Sequence, residues 1–174
     1  MSEARRVRVG IVLPRPAGDP GEWLTEAVAF EAAGADALWV EHGAAPELDP
    51  LTLTAALAAV TYRALLVVAV APDDGRSHAL ATVERLSRGR LALIGEVSGM
   101  RTVVRLEDGG YGEGEGRWAS VGVPVGRAAW REALREAEER GDHGVLVPAD
   151  PRLLDLLRNP EDPGGRHDLQ LAQG

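Results

Sequence analysis

The first half of the chain alternates short apolar runs with longer segments in which apolar residues recur every three or four positions. The short runs are typical of strands buried on both faces, as in parallel sheets. They span residues 7–13, 37–41, 65–70 and 91–97. The longer segments predict amphipathic helices. They span residues 23–34, 51–60 and 77–87. The pattern therefore predicts a βαβαβαβ arrangement.

Punctuating residues support the predicted helix ends. Gly34 offers the left-handed conformation that closes the first helix. Asp49 can cap the second helix, and Pro50 suits its first position. The apolar face of the first helix leaves Glu26 and Glu31 for solvent.

The second half is organised differently. Residues 102–107 predict a strand, the glycine-rich segment 108–116 a turn or loop, and 117–121 a returning hairpin partner. A helix over 126–140, a strand over 144–148 and a short helix over 151–158 complete the pattern. We expect one domain over 1–174, divided into four parts. These are an N-terminal half barrel (7–97), a hairpin or loop region (98–125), a helix-strand-helix unit (126–160) and a tail (161–174).

Alternating strands and helices imply a parallel sheet whose helices cover its outside. Right-handed crossovers then leave two main architectures, a doubly wound sheet or a barrel. Periodicity alone does not separate them.

Three segments in order resemble the luciferase-like monooxygenase family, the flavin-dependent barrel enzymes that include bacterial luciferase and the F420-dependent reductases. They are 31–42 (EAAGADALWVEH), 49–61 (DPLTLTAALAAVT) and 81–91 (ATVERLSRGRL). The resemblance covers about half of the chain. It implies an α/β fold of the (β/α) TIM-barrel type, with parallel strands and outer helices.

Length sets this chain apart from a full barrel. Eight βα units take about 250 residues, whereas the chain has 174. We therefore expect a truncated or compact barrel from which whole units are missing, with a β-hairpin inserted near 102–121.

Composition limits the expected cellular location and partners of the protein. The chain has no cysteine, no N-terminal apolar leader and no run of about 20 apolar residues, which favours a cytoplasmic protein without membrane contact. A net charge of -8 without a basic stripe argues against nucleic acid as a partner. The four histidines lack metal-ligand spacing, so we expect no metal, and no serine lies in a Gly-x-Ser-x-Gly elbow.

The resemblance implies a cofactor, FMN or F420, at the carboxyl ends of the strands. The implied cofactor-binding residues are Pro14, His42, Val68, Ala69 and Glu96. The resemblance also implies a catalytic role for His42 in proton transfer, which an imidazole with a pKa of about 6.5 can perform at neutral pH. The alternative is that His42 only begins a surface loop and binds water.

Some residues depart from the family pattern. Val67 and Val68 stand where a Gly-Thr pair is frequent, and Glu96 stands in a commonly glycine-rich position. A carboxylate there disfavours an anionic reduced flavin unless it is neutralised, and Arg101 or Arg105 is its expected partner.

The cofactor phosphate is the remaining question. The units after strands seven and eight, which often hold a phosphate, are expected to be missing or compressed. Arg101, Arg105 and Arg127 are the candidate phosphate ligands, although each also suits a surface ion pair.

Two functions remain open. The first is a shortened form of the flavin-dependent oxidoreductase or monooxygenase fold. It would act on a small organic substrate, with catalysis retained or lost. The second is a non-catalytic, flavin-free structural or partner-binding homodimer. In either case we expect dimerisation through helices 51–60 and 77–87.

Overall fold

The computed structural model describes residues 6–16, 18–40, 48–70 and 76–159. Eight strands form a closed barrel in chain order. The strands are β1 (Arg8–Leu13), β2 (Ala37–Val40), β3 (Leu65–Ala69), β4 (Leu91–Ile94), β5 (Thr102–Arg105), β6 (Tyr111–Glu113), β7 (Gly116–Ser120) and β8 (Gly144–Pro148). The helices are α1 (Pro20–Ala33), α2 (Pro50–Val60), α3 (Ser77–Ser87), α4 (Arg127–Glu139) and α5 (Arg152–Arg158).

Strand direction is mixed around this barrel. Strands β1 to β5 pair in parallel, and β8 is parallel to both β7 and β1. Strand β6 runs antiparallel to both of its neighbours. The predicted α/β barrel is therefore confirmed in its coarse form. Its strands are mixed in direction, because antiparallel β6 lies within residues 102–121, the region of the expected β-hairpin.

Compared with a full (β/α) barrel, the described residues form all eight strands but only five helices. Helices α1, α2 and α3 follow β1, β2 and β3, α4 lies between β7 and β8, and α5 follows β8. Residues 88–126, all of them described, contain no helix. The expectation that whole strand-helix units are missing is thus wrong, because all eight strands are present.

The helix-free sector is built from short connections. Only residues 95–101 separate β4 from the parallel strand β5, and the left-handed backbone of Gly95 (φ 119°) and Gly99 (φ 78°) lets the chain double back there. Each antiparallel step needs only a tight turn, whereas a parallel crossover usually needs about a dozen residues.

The predicted loop over 108–116 contains β6, and 117–121 pairs with β6 and β8 instead of with 102–107. A strand of three residues with glycine at its centre carries almost no sequence signal.

The apolar residues form two layers. Outward-facing strand residues, including Ile11, Leu38 and Val68, pack with helix residues such as Phe30 and Leu57 in the outer layer. The inward-facing residues fill the barrel. They are Ala37, Trp39, Leu65, Val67, Ala92, Val103, Trp118 and Leu146.

Two tryptophans dominate the barrel interior. Trp39 and Trp118 meet edge to face, with ring centroids 5.9 Å apart. The residues of β1 and β8 that point toward these rings include Gly10 and Gly144. A Cβ atom on Gly10 would lie 2.6 Å from Leu146 Cδ2, and one on Gly144 would lie 2.5 Å from Trp118 Cζ3. The rings therefore occupy space that side chains on β1 and β8 would otherwise need.

Several helix ends agree with the sequence prediction. Gly34 closes α1 with φ 116°, and the Asp49 carboxylate accepts a hydrogen bond from Thr52 N at the start of α2. Glu31 differs, because it is buried instead of facing solvent. Its carboxylate accepts hydrogen bonds from the backbone N–H groups of Tyr62 (3.0 Å), Arg63 (2.8 Å) and Ala64 (2.8 Å), which lead into β3.

Burial alone would raise the pKa of Glu31. The three N–H donors and the nearby charge of Arg90 outweigh burial and hold this pKa below its ordinary value of 4.5. The ionised carboxylate thus ties the end of α1 to the start of β3.

We expect Glu31→Gln to lower the free energy of unfolding by about 2 kcal/mol at pH 7, because an amide cannot accept from all three donors. The folded-state pKa is depressed, so the stabilisation is present above pH 4.5 and disappears as the pH falls through the folded-state value. Urea titrations of both proteins between pH 7 and pH 3 measure this. The exposed Glu22→Gln is the control and should change stability by less than about 0.5 kcal/mol. An equal loss in both variants would contradict the role of Glu31.

We also expect Gly10→Ala to destabilise the protein by about 1–3 kcal/mol, since the added methyl group meets Leu146 and the two indoles. Gly122→Ala is the matched control, because nothing lies within 4 Å of its added methyl group. Thermal melts of the two variants compare them, and equal melting temperatures would show that the interior is not filled as described.

Candidate functional site

The carboxyl mouth, the end of the barrel at Leu13, Ala69 and Ile94, is where (β/α) barrels place their active sites. Val12, Ala69, Ile94 and Tyr111 are all half-buried there, above the filled interior. The Tyr111 ring packs on Trp39 with centroids 4.7 Å apart. These four side chains, which we call the apolar floor, offer a surface suited to a flat aromatic ligand.

The predicted site residues are placed unequally. Ala69 belongs to the apolar floor, and Pro14 follows β1 at the same mouth, where its carbonyl accepts a 2.7 Å hydrogen bond from Trp23 Nε1. Val68 instead points outward and is fully buried under the helices. It does not line the mouth, because successive strand residues face opposite sides of the wall. His42 lies outside the described residues.

Glu96 is exposed in the connection between β4 and β5. It pairs with neither of the arginines expected for it, since Arg101 binds Glu113. Arg105 is exposed at the end of β5 and makes no side-chain hydrogen bond or ion pair among the described residues. Arg127 bonds Asp155 at 2.5 Å. Of the three candidate phosphate ligands, Arg105 therefore presents a cation at the carboxyl mouth that has no partner in the described part of the chain.

The units after strands seven and eight, expected to be missing or compressed, are both present, and the helix after β8 has only 7 residues. Helix α4 follows β7 and begins at Arg127, and its N-cap residue, Gly126, offers no side chain to cap it. Its first N–H groups face the side of the barrel on which related folds bind phosphate.

The amino mouth, the end of the barrel at Arg8, Leu65 and Leu91, carries most of the clustered charge. Arg8 and Arg101 line both a cavity of about 340 Å³ and one of about 730 Å³. The larger cavity also contacts Glu113, Asp142 and His143.

Glu113 is the central acid of this mouth. Its carboxylate accepts hydrogen bonds from Trp118 Nε1 (3.0 Å) and Arg101 Nε (2.5 Å), and His143 Nε2 lies 3.9 Å from it. Burial raises the pKa of Glu113, but these donors and charges together lower it below its ordinary value. The Glu113 carboxylate therefore fixes the Trp118 indole within the barrel.

Sequence reasoning missed Tyr111, Glu113 and Arg8 as residues of the two mouths. Tyr111 and Glu113 lay in the predicted loop, where no periodicity shows which way a side chain points. Alternation along β1 could have placed Arg8, since it shares its face with Gly10 and Val12.

A comparison of the chain with protein-family models and with curated proteins gives no match. Among the described residues, no three or more His, Cys, Asp or Glu side chains are grouped to hold a metal ion. No helix in that part of the chain has the length and apolar character needed to cross a membrane.

The outward orientation of Val68 is open to test. We expect Val68→Thr to lower the free energy of unfolding by about 2 kcal/mol, because the hydroxyl enters a dry layer between barrel and helices. Val104→Thr, the same change at an exposed strand position, should alter it by less than about 0.5 kcal/mol. Urea unfolding at pH 7 measures both, and a neutral Val68→Thr would indicate that this position lines the mouth.

Proposed function

We propose that this chain is a compact, luciferase-like barrel of the cytoplasm that binds a flavin-type cofactor, FMN or F420, at its carboxyl mouth. The observation that supports this most directly is the apolar floor, which closes the barrel below a mouth where Arg105 has no side-chain partner among the described residues. The resemblance of residues 31–91 to flavin-dependent barrels adds the cofactor class.

The described residues fit both the ring system and the phosphate of such a cofactor. Half-buried Val12, Ile94 and Tyr111 suit the face of a three-ring system. Arg105 and the uncapped start of α4 suit a phosphate, since a guanidinium and helix N–H groups both stabilise anions.

Each residue then has a physical task. The apolar floor excludes water from beneath the ring, and Arg105 binds the phosphate. His42, which follows β2 in the sequence, donates or accepts a proton. A bound flavin supplies hydride or oxygen chemistry toward a small organic substrate.

Titration of the protein with FMN, F420 and riboflavin, followed by cofactor fluorescence, tests the proposal. We expect saturable binding of a phosphorylated flavin, and Arg105→Gln should weaken it about tenfold through the loss of one charge-assisted contact. Riboflavin has no phosphate, so its affinity should not change in Arg105→Gln. Arg85→Gln, which removes an exposed arginine in the last turn of α3, is the control.

The outcomes separate the proposed roles. Binding that persists in His42→Ala while substrate turnover is lost would assign His42 to proton transfer. Absence of binding by FMN and F420 in the wild-type protein would overturn the proposal.

A second candidate function is a non-catalytic homodimer, and the composition of α2 favours it. This helix carries no charged residue, and Ala59 is exposed on it. Most of the expected dimer face is nevertheless used within the protomer, since Leu51, Thr54 and Ala58 are buried. A dimeric protein that binds neither cofactor would make this the better account.

A further inference from the structure

The smaller cavity at the amino mouth is rich in arginine. It holds about 340 Å³, and every segment that lines it leads into one of the strands β1 to β5. Five arginines and a single carboxylate, Asp36, line it. This concentration of positive charge is local, because the whole chain carries a net charge of -8.

Four of the five arginines have partners, and for two of them, Arg63 and Arg90, the partners are backbone carbonyls. Arg90 donates hydrogen bonds to the carbonyls of Ala64 (2.8 Å) and Thr61 (2.9 Å), and Arg63 donates to Glu31 O (3.1 Å). Helices α1 and α2 end here, so their terminal carbonyls make the mouth partly negative. Arg63 and Arg90 offset that negative potential. Arg8 is then the cavity arginine without a side-chain partner among the described residues, since Arg6 and Arg101 pair with carboxylates.

The remaining three arginines are available to a ligand to different degrees. Arg8 makes no side-chain hydrogen bond or ion pair in the part of the chain that the structure describes. Its position on β1 has the same parity as the inward-facing Gly10 and Val12, so it belongs to the mouth. Arg6 lies 3.5 Å from Asp36 and is largely exposed. Arg101 reaches the mouth from the start of β5, where it pairs with Glu113.

We propose that this cavity binds a compact dianion, the phosphate group of a small metabolite, between Arg8, Arg6 and Arg101. Guanidinium groups donate pairs of hydrogen bonds to phosphate oxygens, and three of them can surround a dianion from two strands. The cavity volume lies within the range of small-molecule sites, at about 300–1,000 Å³.

This site is independent of the flavin site, because the two mouths lie at opposite ends of a filled barrel. A ligand at the amino mouth would bridge the segments before β1 and β5. It would therefore stabilise the fold by an amount that grows with the logarithm of its concentration above the dissociation constant.

Calorimetric titration of the full chain with inorganic phosphate, pyrophosphate and succinate at low ionic strength tests this inference. We expect saturable phosphate binding that Arg8→Gln weakens about tenfold, with the melting temperature of the unliganded variant unchanged. Arg152→Gln is the control, since it removes one exposed arginine away from this cavity. Succinate distinguishes a phosphate site from a dicarboxylate site, because both classes pair with guanidinium groups.

Phosphate binding lost in Arg8→Gln but kept in Arg105→Gln supports the site at the amino mouth, even if the wild-type protein binds no flavin. Equal affinity in Arg8→Gln and wild type would overturn it, as would the absence of binding at millimolar phosphate. Tighter binding of succinate would overturn the choice of phosphate. Loss of FMN affinity in Arg8→Gln would place the flavin phosphate at this mouth and overturn both assignments.

Discussion

The closed barrel depends on how two indole rings share its interior. Trp39 and Trp118 span the space within the wall, and they fit because β1 and β8 present glycine toward them. Large interior side chains and small opposing residues must occur together, since a wall of eight strands leaves room for little more than its own side chains. Tyr111 extends this packing to the carboxyl mouth, and Glu113 fixes Trp118 at the amino mouth. Both candidate sites thus lie against the same packed aromatic group.

The outer layer of the barrel depends instead on polar contacts between helix ends and strands. Helices cover the sectors next to β1–β3 and β7–β8, and buried polar contacts fix how the ends of these helices meet the strands. Glu31 ties the end of α1 to the start of β3, while Arg90 reaches the carbonyls that follow α2. These contacts concentrate charged groups at the amino mouth. The carboxyl mouth combines the apolar floor with the exposed charges of Glu96 and Arg105.

Sequence patterns predicted the helical half of the molecule well, because α1 and α2 carry clear end signals at Gly34 and Asp49 and their strands are continuous apolar runs. The same reasoning failed at β6, where direction and pairing depend on contacts with distant strands. It failed at Glu31 for a related reason. A carboxylate beside the polar face of a helix is normally solvated, and only the arrival of the Tyr62–Ala64 backbone makes burial favourable. Of the predicted site residues, Ala69 and Pro14 lie at the carboxyl mouth, Val68 does not, and His42 falls outside the described residues.

The reversed strand β6 also affects how this barrel can vary. A uniformly parallel barrel keeps its functional loops at one end, because every crossover returns the chain to the other. Here one hairpin sequence turns at the carboxyl mouth through residues 106–110 and at the amino mouth through residues 114–115. An insertion or deletion in either turn changes only one of the two mouths and leaves the helices unaltered. The two turns lie within a dozen residues of each other in the chain. Sequence changes in them can therefore alter the ligand preference of each mouth separately.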